Sequence, residues 1–278
     1  MNKTDDATDN NRITECVSDA EESTTSLGAA MDLRFSESVE EFAEYIQSLG
    51  LDHIELKREY LHAHPEAPTP RELSTLRREY DITFTLHAPF RDWNLGSFND
   101  ASRRASVEQV KRTLDDAAAA GAGAVVVHGG SVPRRYPAHV HEKARRNAIK
   151  SLSECAEHAS HVGVPLCLEN QPQSDSKRRH TTTPSDLEAI LDDIDADPAW
   201  LKVTLDVGHA KVNGFEWEQF AERFGDRIEV VHLHDNDGTT DEHDPLSEYD
   251  QVVETAAASY FVFEMKQVDD VAVCVGQM

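Results

Sequence analysis

Cysteine is scarce: Cys16, Cys155, Cys167 and Cys274 lie far apart and no two form a CxxC pair. That spacing implies neither a disulfide framework nor a thiolate metal knuckle, and Cys167 is expected to be a small inward core residue. Long apolar runs are missing as well. No stretch approaches a membrane span, and the first residues are polar where a secretory signal would be apolar, so a soluble, cytoplasmic protein without a membrane partner is expected. No glycine-rich dinucleotide fingerprint or P-loop is present. Basic residues are few: 27 Lys and Arg, mostly Arg, stand against 52 Asp and Glu, for a formal charge of -25. Such self-repulsion opposes compactness in dilute salt, but molar potassium chloride screens it within about 3 Å, and the composition points to a halophilic host. Net charge therefore gives no argument against a polyanionic substrate.

What is present is a rhythm. Residues 1–26 are polar and acidic and are expected to form a disordered tail, because they cannot bury enough apolar surface to order themselves. Over 27–278, eight short apolar runs alternate with helical patterns. The third to eighth end in Leu86-His87, Val127-His128, Leu168-Glu169, Leu205-Asp206, Leu233-His234 and Phe263-Glu264. A strand alternates faces with period two. One parity is apolar throughout (Ile82, Phe84, Leu86; Val203, Leu205; Phe261, Phe263), whereas the other turns polar at its C-terminal end (Thr85, His87; Thr204, Asp206; His232, His234). Parallel strands with helices outside and a shared mouth have this pattern, so an α/β fold, a (β/α)8 TIM barrel, is expected. A doubly wound open sheet is the alternative.

Several boundaries follow from local chemistry. Ser38 and Glu41 form a capping box for a helix that Gly50 ends, and Pro70 opens another. Long helices are expected over 101–121 and 138–162, and one from Pro184 to about Asp197. The polar stretch Gln171–Pro184 is too long for an ordinary connection and suits a lid or substrate loop, and residues 235–250 form a second long, acidic loop. In the second strand Glu55 and Lys57 share a face that reaches the mouth. His53, His62, His64, His139, His141, His158, His161 and His180 are expected to be solvated. Phe90 and Trp93, just beyond His87, can form an apolar wall at the mouth or pack their own loop.

In such a barrel Glu169, Asp206, His232 and Glu264 converge at the mouth. Three carboxylates that close repel one another and take up protons unless a cation holds them. One imidazole with several oxygens suits Mn, Mg, Co or Zn, and spacing alone does not choose among them.

The segments HAPF (87–90), VVHGG (126–130), LEN (168–170), LDVGHA (205–210), VHLHDN (231–236), DEH (241–243) and FEMK (263–266) together resemble the xylose isomerase-like TIM-barrel superfamily over residues 27–270. That group includes sugar and sugar phosphate isomerases and epimerases and the related endonuclease IV. In the isomerase and epimerase branch the resemblance implies one divalent metal on Glu169, Asp206, His232 and Glu264. Glu169 and Glu264 would be the catalytic pair, shuttling a proton through an enediolate of a sugar, sugar phosphate or related polyol ketone. His209 would hold a substrate hydroxyl, with His234, Glu55, Lys57 and Lys266 as further candidate substrate contacts. In the endonuclease IV branch the resemblance implies up to three zinc ions on His87, His128, Glu169, Asp206, His209, His232, Asp241, His243 and Glu264, for hydrolysis at abasic DNA. Against a nucleic acid partner stand an expected shortage of Arg and Lys around the mouth, the acidic 235–250 loop, a differently spaced loop after His87, and His234 in place of an amide. A metal-binding barrel without turnover ranks behind both. Pairing into a homo-oligomer is left open.

Overall fold

Strands with one continuous apolar face must hide it under helices, and here they do so as a closed ring. The structure, a computed structural model, describes residues 25–277; the expected acidic tail lies outside the described residues apart from its last two positions. In chain order the strands are β1 (Ser26–Met31), β2 (His53–Lys57), β3 (Thr83–His87), β4 (Val125–His128), β5 (Ser131–Pro133), β6 (Leu166–Glu169), β7 (Lys177–Arg179), β8 (Leu201–Asp206), β9 (Ile228–Leu233) and β10 (Tyr260–Phe263). Eight of them form the closed barrel β1-β2-β3-β4-β6-β8-β9-β10, and β10 pairs in parallel with β1 to complete it. The expected (β/α)8 architecture is thus the observed one.

The helices are α1 (Val39–Ser48), α2 (Arg58–Ala63), α3 (Pro70–Glu79), α4 (Asp100–Ala120), α5 (Ala138–Val162), α6 (Pro184–Asp192), α7 (Val207–Val212), α8 (Glu218–Phe224), α9 (Tyr249–Thr255) and α10 (Asp269–Cys274). Among the described residues none is long and apolar enough to cross a membrane. The parity rule separates two cores. Phe84, Leu86, Val203, Leu205, Phe261 and Phe263 pack outward against the helices in one large cluster. Each such side chain contributes roughly 1.5–3 kcal/mol by leaving water. Ala30, Ala124, Val126, Cys167, Val230 and Val262 fill the lumen, with Cys167 inward as expected.

The expected Ser38–Glu41 cap forms and Pro70 opens α3 as expected, where the structure adds a second capping box, Thr69 with Glu72. Other expectations need correction. The helix from Pro184 stops at Asp192, five residues early, because Asp193 caps it and the chain turns to bury Ile194. The run FEWEQFAERFG (215–225), which reads as one helix, is helical only over Glu218–Phe224, and the short α7 precedes it. The 171–184 stretch, expected to be a lid or substrate loop, lines the mouth and carries regular structure of its own. Its residues Lys177–Arg179 form β7, antiparallel to β5, a two-stranded sheet outside the barrel. The acidic loop is likewise closed, by a reciprocal backbone pair between Asp235 and Asp244.

Candidate metal centre

Strand register sets the height of the polar side chains. Lys57 pairs with His87, His128 with Glu169, and Asp206 with His232, all at C-terminal strand ends. Glu169 is surrounded by imidazoles. Its Oε2 lies 3.3 Å from His87 Nε2 and 2.9 Å from His128 Nε2, and its Oε1 lies 3.0 Å from His209 Nδ1. Asp206 caps α7, accepting the His209 backbone N–H at 2.7 Å, and also accepts from His234 Nε2 at 3.1 Å. Asn170 clamps that strand end: its amide donates to the Asp206 carbonyl at 2.8 Å and its oxygen accepts the Asp206 N–H at 2.7 Å. Gly208 is required by close approach, since a Cβ there would lie 2.1 Å from the His234 ring.

Three imidazoles are tied from behind. Nδ1–H of His87 donates to the Ala88 carbonyl at 2.8 Å, that of His209 to Asn170 at 2.9 Å, and that of His243 to Glu264 at 2.7 Å. A ring that donates through Nδ1 keeps its Nε2 lone pair for a cation. The Nε2 atoms of His209 and His243 both face Asp241 Oδ2, at 3.3 and 3.4 Å. His232 presents Nδ1 to Asp206 Oδ2 at 3.7 Å and Glu264 Oε1 at 3.9 Å, and Nε2 to Glu55 Oε1 at 3.1 Å. Lys57 Nζ reaches Glu264 Oε1 at 3.0 Å and Asp32 Oδ2 at 3.6 Å.

Burial alone pushes every carboxyl here upward, but the neighbouring cations and imidazoles outweigh it. Glu169 and Glu264 are held well below the usual carboxylate range, Glu169 chiefly by His128 and Glu264 chiefly by Lys57, and Asp206 is brought down to about 2. The partners move the other way. Burial disfavours the charged forms of His209 and His232, yet adjacent carboxylates raise both well above the ordinary histidine value. Burial pushes His128 down.

Does this donor set suit a divalent cation? Among the described residues, ligand-type atoms within 4.8 Å of one another form overlapping groups: His87, His128 and Glu169; Glu169, Asp206 and His232; Glu55, His232 and Glu264; Asp206, His234 and Glu264; and His209, His234, Asp241 and His243. Both ring nitrogens of His232, Nδ1 of His234, Oδ1 of Asp241 and Oε1 of Glu55 are buried without a directed hydrogen bond. Orphaned polar atoms in such mixed nitrogen and oxygen groups are the chemistry a cation satisfies, so the residues fit one.

The sequence-derived residues fall into place unevenly. Glu169, Asp206 and His232 share one group, while Glu264 joins through His232, so the four form linked groups and not a single one. All nine positions of the three-ion reading take part in the groups. Lys57, His209 and Lys266 line a mouth cavity of about 820 Å³, with Glu169 and Glu264. Glu55 and His234 do not line it and are 0% and 1% exposed, which argues against substrate contact for both. Two histidines expected to be solvated are buried: His53 between Thr83 and Thr85, and His180 against Gly96. His53 shares the inward parity of Glu55 and Lys57, which is the sequence signal for its burial. The expected shortage of mouth cations is overturned, since Arg34, Lys57, Arg91, Lys177, Arg179 and Lys266 all line the cavity. Phe90 and Trp93 line it too, and Phe90 packs on both His87 and His128.

Comparison with known proteins agrees with this geometry. The family described as xylose isomerase-like TIM barrel matches residues 43–258. An uncharacterised protein of Methanocaldococcus jannaschii is 35% identical over 178 residues, covering 63% of this chain and 59% of that one. A probable endonuclease 4 of Mycobacterium marinum is 29% identical over 175 residues, covering 62% and 64%. The chain thus spans less than two thirds of the length of these curated relatives. Among solved structures, a D-tagatose 3-epimerase-like protein superposes with a TM-score of 0.75 at 28% identity, covering 91% of this chain and 95% of that one.

Proposed function

Because the chain belongs to the xylose isomerase-like TIM barrel family, we propose that its mouth is a divalent-metal-dependent isomerase or epimerase site for a sugar, sugar phosphate or related polyol ketone. One observation carries this reading: Glu169, Asp206, His232 and Glu264 follow one another on β6, β8, β9 and the end of β10, and the outer two carboxylates line the cavity. The resemblance to a D-tagatose 3-epimerase-like protein supports it.

These four residues would hold the cation, with Glu55 behind His232. A bound divalent ion supplies polarisation of a substrate carbonyl, which acidifies the adjacent C–H. Glu169, ionised because burial is outweighed by His128 and its neighbours, is the group to accept that proton. Glu264 acts from three strands away, across β8 and β9. A proton that Glu264 takes up from water in the cavity is made more acidic by Lys57 at 3.0 Å and passes to the substrate, while Glu169 releases its own to water. Phe90 and Trp93 shield the reacting carbons from water. Lys177 and Arg179 extend over the cavity from β7 and suit a phosphate or other anionic group on the substrate.

A second reading, hydrolysis of a phosphodiester at abasic DNA, is favoured by a specific observation. All nine positions of the three-ion set lie in linked groups beneath a cation-rich rim. One comparison separates the two. Protein loaded with Mn or Zn in molar potassium chloride is incubated in deuterium oxide with a panel of ketoses and ketose phosphates, and in parallel with an abasic-site duplex. The isomerase reading expects carbon-bound deuterium with wild type and none with Glu264→Gln. No exchange across the panel, together with incision of the duplex and three bound ions, would reverse the ranking.

A further inference from the structure

Glu55 takes no part in the proton transfer proposed above, and among the carboxylates of the centre it shares full burial away from the cavity only with Asp206. It is 0% exposed, lies one pleat below Lys57 on β2, and has no surface on the cavity. Its Oε1 is 3.1 Å from Nε2 of His232, which is also 0% exposed. β2 and β9 are not neighbours, because β1 and β10 stand between them. The contact therefore crosses the lumen and is not a by-product of strand pairing. On its other side Glu55 Oε2 accepts a hydrogen bond from Thr85 Oγ1 at 3.0 Å; Thr85 Oγ1 meets His53 Nε2 at 3.1 Å, and His53 Nδ1 meets Thr83 Oγ1 at 2.7 Å. A polar chain thus runs from His232 away from the mouth, through a lumen otherwise filled by small apolar side chains such as Ala30, Val126 and Cys167. Filling the position with an apolar side chain would avoid the desolvation of a carboxylate altogether, so packing alone does not account for it.

We propose that Glu55 is a positioning residue that holds His232 by Nε2 and so aims Nδ1 at Asp206 and Glu264, where the divalent cation binds. This rests on the metal-dependent reading of the centre. Nδ1 lies 3.7 and 3.9 Å from those carboxylate oxygens, close to the separation of about 3.4 Å expected for two donors on one tetrahedral ion. The Glu55–His232 contact is a close pair without good alignment. Ligation at Nδ1 leaves Nε2–H to Glu55, the arrangement in which a carboxylate orients a ligand histidine. Thr85 and His53 hold the carboxylate in turn.

The test titrates metal-stripped wild type, Glu55→Gln, Glu55→Ala and Thr85→Val with manganese or zinc chloride by calorimetry, and records circular dichroism melts of the metal-free forms. Glu55→Ala is expected to bind about 10–100-fold more weakly. Glu55→Gln, whose amide oxygen still accepts from Nε2–H, should lose less, and Thr85→Val, which loosens the carboxylate without removing it, less again. Affinities within twofold of wild type for all the variants overturn the proposal, as does a loss confined to metal-free melting. If Glu55→Ala does not fold, the other two substitutions decide. Failure of wild type itself to bind either ion overturns the metal reading and the brace with it, whereas normal wild-type binding with unchanged variants overturns the brace alone.

Discussion

Replacing Lys57 by Met should strand a charge that the fold otherwise neutralises, and the size of the effect follows from the contacts. Lys57 is buried, with Nζ 3.0 Å from Glu264 Oε1 and 3.6 Å from Asp32 Oδ2. Asp32 keeps a second partner in Arg34, whose Nε lies 2.7 Å away, so Glu264 bears most of the loss. Removing one member of a buried ion pair costs about 3–5 kcal/mol. Glu264 retains attraction from His232 at 3.9 Å and His243 at 3.8 Å, which argues for the lower end, about 3 kcal/mol. At roughly 2–4 °C per kcal/mol for a chain of this size, the metal-free melting temperature should fall by about 6–12 °C. A divalent ion beside Glu264 would replace the missing positive charge, so loading with metal should cut the deficit by more than half. Lys57→Met combined with Glu264→Gln removes the stranded charge and should recover part of the loss. Thermal unfolding followed by circular dichroism, with chelator and with metal, in molar potassium chloride, measures the three proteins in both conditions. A metal-free shift under about 2 °C would refute the burial argument, and equal shifts with and without metal would refute the placement of a cation at Glu264.

Two further outcomes are expected. Gly208→Ala sets a methyl carbon 2.1 Å from His234, a ring already stacked 4.0 Å from His243, so it should lower stability by about 1–3 kcal/mol and displace His234 from Asp206; a melting curve that overlays wild type would contradict this. His180 is buried and burial, followed by Arg178 and Arg145, lowers its pKa to about 4 from an ordinary 6.5. Its unfolded form binds the proton first, so stability should decline as pH falls from 6.5 towards 4, by about 3 kcal/mol at most. His180→Gln should flatten that part of the denaturant midpoint against pH, and an unchanged slope would show that another group carries it.

What could be read in advance and what could not divides along a physical line. Strand positions are legible because the pleat imposes an alternation that survives in the residue pattern: Phe84 and Leu86 outward, Thr85 and His87 inward. The same rule that located Glu169 and Asp206 would have placed His53 in the lumen, since it shares the parity of Glu55. Its place at the start of β2, where solvated histidines are common, masks that parity. Segments without a period stay silent. β5 and β7 hold three residues each, too few for alternation to declare itself, yet they carry Lys177 and Arg179 to the cavity. Arg34 and Arg91 arrive on loops after β1 and β3, where no pattern foretells direction. The consequence concerns charge. Composition describes a chain with nearly twice as many acids as bases, but six bases face one cavity whose floor is built of carboxylates and imidazoles. Lys57 neutralises Glu264 among the strand ends, whereas Arg34 and Arg91 on loops and Lys177 and Arg179 on β7 bring further positive charge to the cavity. Under the proposed reading such a site would favour a substrate that carries both a metal-binding pair of oxygens and a separate negative group, a demand that no count of residues over the whole chain expresses.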